Sequence, residues 1–262
     1  MRLLSTNHFI VQIVVKKSNL CLSRIEKHSN DTVTDIDGNE YRTIIIGNQE
    51  WMAENLRTKR YRNGQAIPTG LSNTQWENTT SGAYAVHPYQ NADGLNSHEE
   101  VVEAYGILYN WYAVDDSRGL CPEGWLVPTD AEWQQLIDHL MDTYGFHNNP
   151  LSNDIDGVGN KLRSRRQFNS PLGEPWATDV HPRWGYSHGT HFGTDDFGFS
   201  GLPSGGRGDD GSVRIGYISN WWSYNKMTPD YSFVWGLLIN HGHLYRGGSP
   251  HIAGLSVRCI RN

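Results

Sequence analysis

His241 and His243 are one residue apart, and in an extended segment that spacing turns both imidazoles to one face. Two imidazoles begin a metal site, but no Cys, Asp or Glu stands near them in sequence to complete it. A second set, His188, His191, Asp195, Asp196, Asp209 and Asp210, lies in an aromatic, glycine-rich stretch. Calcium is the one metal with a claim there, and it asks for six or more oxygens. Ser204, in Leu-Pro-Ser-Gly-Gly, lacks the Gly-x-Ser-x-Gly context of a nucleophile elbow. Lys161, Arg163, Arg165 and Arg166 form a basic cluster that reads as a solvated face near a turn. Arg207-Gly-Asp209 spells an integrin-binding tripeptide, too short to weigh against chance. No phosphate-binding glycine loop or zinc-protease motif appears. The expectation is a protein with no catalytic residues, no metal and no cofactor.

The chemistry the residues do offer is display. From Ser223 to Gly254 the chain carries Tyr224, Asn225, Lys226, Tyr231, Trp235, Asn240, His241, His243, Tyr245 and Arg246. Tyr, Trp, Asn and Arg supply large contact area and adaptable hydrogen bonds at small entropic cost, which is how binding surfaces are built. These ten residues are the candidate ligand-binding set. Against that stands a plainer reading, in which Trp235 and Tyr245 are core residues and Lys226, His241 and Arg246 are solvated surface.

Such a face needs a stiff frame. The 262 residues suit one large domain with an extension. Hydrophobic content is 37% and mean hydropathy −0.59, both low, yet 10 Trp, 13 Tyr and 7 Phe bury enough area per residue to build a core. The 28 glycines speak for many turns and against a helical bundle. A formal charge of −6 argues against nucleic acid as the partner. No stretch is long and apolar enough to span a bilayer. Three cysteines, Cys21, Cys121 and Cys259, fit one bridge plus a free thiol, or buried free thiols. Cys121 and Cys259 are the favoured pair because each sits inside an ordered-looking motif.

Residues 1–30 form a basic extension without a clear signal peptide, read as a strand or a disordered arm. Residues 31–262 form the domain. Val33–Ile36 and Tyr41–Ile46 flank Asp37-Gly38 as a hairpin. Trp51–Leu56 reads as one or two helical turns, and residues 57–97 as loops. A helix is predicted over about 98–114 from the period of Val101, Val102, Tyr105, Leu108, Tyr109 and Tyr112. A second is predicted over about 130–144, opened by the capping box Thr129-Asp-Ala-Glu132 and carrying Trp133, Leu136, Ile137, Leu140 and Met141 on one face. Beyond Gly145, short strands and long loops follow. The layout is α+β.

Several long motifs, in order, carry a family resemblance. They are Asp35–Asn39, Ile46-Gly-Asn-Gln-Glu-Trp-Met-Ala-Glu-Asn-Leu56, Tyr105-Gly-Ile-Leu-Tyr-Asn-Trp-Tyr-Ala-Val114, Leu120-Cys-Pro-Glu-Gly-Trp-Leu-Val-Pro-Thr-Asp-Ala-Glu-Trp133 and Gly159–Leu162. The C-terminal series is Phe197-Gly-Phe-Ser-Gly-Leu-Pro-Ser-Gly-Gly-Arg207, Gly216–Ser223, Leu244–Arg246 and Gly254–Ile260. Over about residues 33–262 the chain resembles the Fibrobacter succinogenes major paralogous domain, a bacterial family. The resemblance implies a C-type lectin-like fold, with two helices flanking a small twisted antiparallel sheet and long loops forming one exposed face. It implies that Cys121 and Cys259 are the paired family cysteines. It also implies an extracellular or cell-surface protein, although the N-terminus leaves a cytoplasmic or phage-borne one open.

The same fold carries the variable proteins of diversity-generating retroelements, whose matching stretch here is about Tyr224 to Ala253. Carbohydrate-binding relatives of the wider fold hold calcium with a Glu-Pro-Asn type loop, whereas here Glu174-Pro175 is followed by Trp176. The expected function is therefore a non-catalytic module that presents its C-terminal face to a protein or glycan on another surface. Two alternatives come from other classes. One is an oxidase of the formylglycine-generating kind, which requires a free thiol at Cys259. The other is a structural or assembly module in which residues 1–30 drive oligomers.

Overall fold

The computed structural model describes residues 31–152, 154–186, 189–208, 211 and 214–261. The expected N-terminal extension therefore lies outside the described residues, as do Cys21, His188, Asp209 and Asp210.

The domain opens on the predicted hairpin. Strand β1 (Thr32–Thr34) pairs antiparallel with β2 (Glu40–Ile46). The turn is built by Asp35, whose carboxylate accepts from the backbone N–H of Asp37 (2.9 Å) and Asn39 (3.0 Å) and from the Tyr41 hydroxyl (2.6 Å). Gly38, at φ +85°, takes the left-handed corner. Residues Gln49–Met52 form strand β3 on β2, not a helical turn. The Ile46-Gly-Asn-Gln49 corner reverses the chain, with Gly47 at φ +64°, and Ile44 faces Trp51 in the register.

The stretch read as loops, 57–97, contains a short helix α1 (Asn73–Asn78) and a strand β4 (Tyr84–Ala85). The helix expected over 98–114 is two pieces. Helix α2 (His98–Tyr105) ends at Gly106, strand β5 (Leu108–Tyr109) pairs with β4, and α3 (Trp111–Val114) follows. Helix α4 (Asp130–Tyr144) has the predicted bounds. Both bonds of its capping box are made, Thr129 Oγ1 accepting from Glu132 N (3.3 Å) and Glu132 Oε2 from Thr129 N (2.6 Å). Helix α5 (Val158–Leu162) precedes a long irregular segment. Strands β6 (Ile218–Lys226), β7 (Tyr231–Leu238) and β8 (Tyr245–Pro250) then form an antiparallel sheet, and β9 (Ile260–Arg261) closes on β3.

The architecture is α+β. Where one small sheet was expected, the described residues form three antiparallel sheets, ordered β1-β2-β3-β9, β4-β5 and β6-β7-β8. The β6-β7-β8 sheet has core on both faces. Adjacent residues of a strand point to opposite sides, so Trp222 and Val234 enter one cluster with Trp111, Leu255 and Val257, while Trp221, Trp235 and Leu237 enter another. In the second, Trp133 of α4 stacks on Trp221 (5.7 Å between ring centroids) and meets Trp51 at 4.7 Å. Two indole N–H groups of β6 are spent inside: Trp221 donates to Asn55 Oδ1 (2.8 Å) and Trp222 to the Tyr109 carbonyl (2.8 Å). Cys121 and Cys259 are joined in a disulfide, with Cα atoms 6.0 Å apart.

The basic cluster after α5 is not a solvated face. Arg163 is fully buried and Lys161 nearly so. The Arg163 guanidinium donates to the carbonyls of His191 (2.6 Å), His241 (2.7 Å) and Leu238, pinning two loops.

Candidate ligand-binding face

The ten candidate residues fall in three places along one sheet. Strand β7 makes seven residue steps from Tyr231 to Leu238, about 23 Å of rise, so its two turns lie at opposite ends.

The first place is the β6–β7 hairpin. Pairing slips between Trp222 and Lys226, so β6 bulges there. The bulge is tied to the entry of α4: Tyr224 N–H donates to the Pro128 carbonyl (2.8 Å), and Asn225 Oδ1 accepts from Asp130 N–H (2.7 Å). Asn225 is thus committed to holding the frame. The turn is closed by the N–H groups of Met227 (2.8 Å) and Thr228 (3.0 Å), both donating to the Tyr231 carbonyl. Tyr224, Met227 and Tyr231 stand out of it at 47%, 53% and 45% exposure. Lys226 is exposed and pairs with Asp115 (2.8 Å), which raises its pKa.

Beneath these side chains lies an aromatic bed contributed by distant segments. Trp111 is stacked by His251 (centroids 5.5 Å apart) and approached by the Tyr224 ring at 6.1 Å, while Tyr112 meets His251 edge-on. His251 Nε2 bonds the Ser232 hydroxyl (3.0 Å), and its backbone N–H donates to the Asp230 carbonyl (2.9 Å). Burial, then the neighbouring Lys226 charge, depress the His251 pKa. Trp111, Tyr112, Met227 and His251 were not among the sequence candidates. Trp111 and Tyr112 lie in a stretch whose period matches a helix continuing from 98, and nothing local marks them as reaching the hairpin.

The second place is mid-sheet. Trp235 is 2% exposed, and its ring packs 6.4 Å from Trp133, which removes it from any displayed face. The Tyr245 hydroxyl donates to Asn220 Oδ1, and burial pushes its pKa up to about 12. Arg246 forks onto Asp130 (2.7 and 2.9 Å) and lies over the Phe233 ring at 3.9 Å. The same Asp130 accepts the Trp235 indole N–H at 3.0 Å.

The third place is the β7–β8 turn. Asn240 is exposed there, and His241 and His243 meet edge-to-face at 5.2 Å. Burial, then the charges of His241 and Arg163, depress the His243 pKa. Among the described residues no group of three or more His, Cys, Asp or Glu is placed to hold a metal ion. Of the calcium set, Asp195 is engaged by the Ser200 N–H and hydroxyl (both 2.7 Å), and Asp196 by Lys161 (3.6 Å). Ser204 is buried and bonded to the Ser256 hydroxyl (2.8 Å). No helix among the described residues is long and apolar enough to cross a membrane.

The framework that carries these three places, from within β2 to the end of β9, is the part of the chain that a family model covers. The family model of the Fibrobacter succinogenes major domain matches residues 44–261. No curated protein and no solved structure matches the chain. With most of its length inside that match, including α4, the β6-β7-β8 sheet and both bridged cysteines, the chain belongs to the Fibrobacter succinogenes major domain family.

Proposed function

We propose that this protein is a non-catalytic ligand-binding module that presents the β6–β7 hairpin end to a protein or glycan on another surface. The observation that carries this is the trio Tyr224, Met227 and Tyr231, three large side chains half-exposed on one tied-down hairpin. Large apolar and aromatic side chains exposed singly are ordinary, but several grouped on one turn make the kind of patch that marks an interaction site. The Tyr224 N–H is tied to the Pro128 carbonyl and the Met227 N–H to the Tyr231 carbonyl, so little ordering entropy is lost on binding. Asn240, His241 and His243 form a separate place too distant to share a small ligand with the trio.

In this reading the frame is C-type lectin-like, and the hairpin is where a diversified variable protein would differ from copy to copy. The disulfide suits display in an oxidising compartment. It also speaks for binding over oxidase chemistry of the formylglycine-generating kind, because Cys259 is bridged and buried instead of presenting a thiol.

The test is a glycan array and a displayed-peptide library, followed by the triple variant Tyr224→Ala, Met227→Ala, Tyr231→Ala. A ligand selected on the native protein should bind the folded triple variant at least about tenfold more weakly, the loss expected of removing one hot spot. Selected ligands that bind the triple variant undiminished would refute the assignment.

A further inference from the structure

A cleft of about 190 Å³ opens on another part of the molecule, where the ends of β3 and α2 meet the loops that follow α5. Arg42, Glu54, Glu103, Arg166, Ser200 and Arg258 supply its charged and hydroxyl lining. The two carboxylates are already engaged. Glu54 takes the Arg42 guanidinium (2.6 Å) and the Arg42 N–H (2.8 Å), and Glu103 pairs with Arg57 (3.2 Å). Arg166 and Arg258 are not matched in this way. Among the described residues, the Arg166 guanidinium donates to the main-chain carbonyls of Pro182 (2.7 Å) and Val180 (3.2 Å).

Arg258 is the unusual one. It is 1% exposed, yet its hydrogen-bond acceptors are neutral: the Phe199 carbonyl and Asn55 Oδ1 (3.0 Å). Its Nε is buried without a partner. The rings of Phe199 (4.2 Å) and Trp221 (5.3 Å) flank the guanidinium. Two acids, Glu54 and Asp195, reach it through their fields, but neither is hydrogen-bonded to the guanidinium: Glu54 is forked to Arg42, and the Asp195 carboxylate accepts from the neutral Ser200 N–H and hydroxyl. A buried charge without a counter-ion is costly. Burial pulls the Arg258 pKa down to about 9.

We propose that this cleft binds a small oxyanion, which gives Arg258 a directly bonded counter-charge and is gripped from the wall by Arg166. Guanidinium groups present forked N–H donors that match carboxylate and phosphate oxygens. Ser164 Oγ, also lining the cleft, accepts the Arg166 N–H (3.3 Å), which leaves its own O–H to add a donor. None of residues 224–231 lines the cleft, so the proposal stands whether or not the hairpin binds a partner.

Sodium acetate and sodium phosphate are titrated separately at constant ionic strength, balanced with sodium chloride. Thermal midpoint and tryptophan fluorescence are both followed, because Trp221 flanks the guanidinium. A saturable midpoint rise is expected with one of the two anions and not with chloride, following ligand linkage. Which anion saturates tells a carboxylate site from a phosphate site. Arg166→Gln, which leaves Arg258 and the core intact, should weaken the response about tenfold. Ser164→Asp places a carboxylate inside the cleft and should raise the midpoint while abolishing the anion response. Chloride matching both oxyanions, or a saturable response unchanged in Arg166→Gln and Ser164→Asp, would overturn the site.

Discussion

At the scale of single residues, polar groups in this fold are more often structural than they look in sequence. Asp130, the first residue of α4, serves three partners at once: its carboxylate accepts the Trp235 indole N–H and holds the Arg246 fork, and its N–H donates to Asn225 Oδ1. Arg246 and Asn225 are thereby drawn from a list of ligand contacts into the frame. Burial also sets how the protein responds to acid. His87 is 3% exposed, and its Nε2 meets the Ser204 carbonyl. A carbonyl can only accept, so the neutral ring carries its proton on Nε2. Burial pulls the His87 pKa down to about 4. Above the unfolded value of about 6.5 the ring is neutral in both states, and its contribution is fully present. Between there and the folded value the unfolded chain takes a proton that the native state refuses. Stability is then lost progressively as pH falls, by about 3 kcal/mol for this residue over the whole window. His181, lowered to about 4 by burial and then by Arg183, tilts the same way. His87→Gln keeps a donor but cannot titrate. In urea denaturation at about pH 7 and about pH 4.5, the wild type should lose about 2 to 3 kcal/mol more than the variant. Equal losses would mean that the folded ring titrates as it does in water.

At the scale of elements, what could be read in advance was whatever had a local cause. Helix α4 was legible because its capping box and its apolar stripe are both contained in its own residues. The first hairpin was legible from Asp37-Gly38. Helix α1 carries a capping box too, Ser72 with Gln75, and that signal was passed over in a polar stretch. The break after α2 was not legible. Tyr105, Leu108, Tyr109 and Tyr112 keep helical spacing while a tertiary contact decides otherwise. Gly106 sits at φ +78°, ψ −163°, a region open essentially to glycine alone. A Cβ there would lie 2.7 Å from Asn55 Cβ and 2.9 Å from the Leu56 carbonyl oxygen. The segment leaves the helix so that Ile107 N–H can donate to Leu56 (3.0 Å) and Tyr109 can pair with Leu255. These two views make opposite forecasts for Gly106→Ala. Were helix propensity in control, alanine would stabilise by about 1 kcal/mol. The tertiary account expects a loss of about 2 kcal/mol or more, read as a lower urea midpoint. The candidate face followed the same rule. Tyr224 and Tyr231, candidates from their types, are exposed, but the bed of Trp111, Tyr112 and His251 is assembled only by folding.

At the scale of the whole molecule, the C-terminal segment joins what would otherwise be separate sheets. Gly254 pairs with Arg207, Leu255 with Tyr109, Ser256 with Trp221, and Ile260 with both Leu126 and Trp51. Every one of these contacts is distant in sequence, so each requires a large loop to close before it contributes. The Cys121–Cys259 bridge spans 138 residues and lies inside this run of pairings, with the Cys259 carbonyl accepting Met52 N–H at 3.0 Å. In the chain-entropy account, a cross-link of that span destabilises the unfolded state by about 5 kcal/mol, an amount comparable to the whole stability of many domains. The double variant Cys121→Ser, Cys259→Ser should therefore lose about 3 to 5 kcal/mol in urea denaturation. Two buried hydroxyls account for part of any such loss, so reduction of the wild-type protein under the same conditions gives the control. Both measurements should lower the midpoint, with the variant insensitive to reductant and the wild type brought close to it. A wild-type midpoint unmoved by full reduction, verified by thiol counting on the unfolded chain, would show that strand pairing alone holds the C-terminal segment in place.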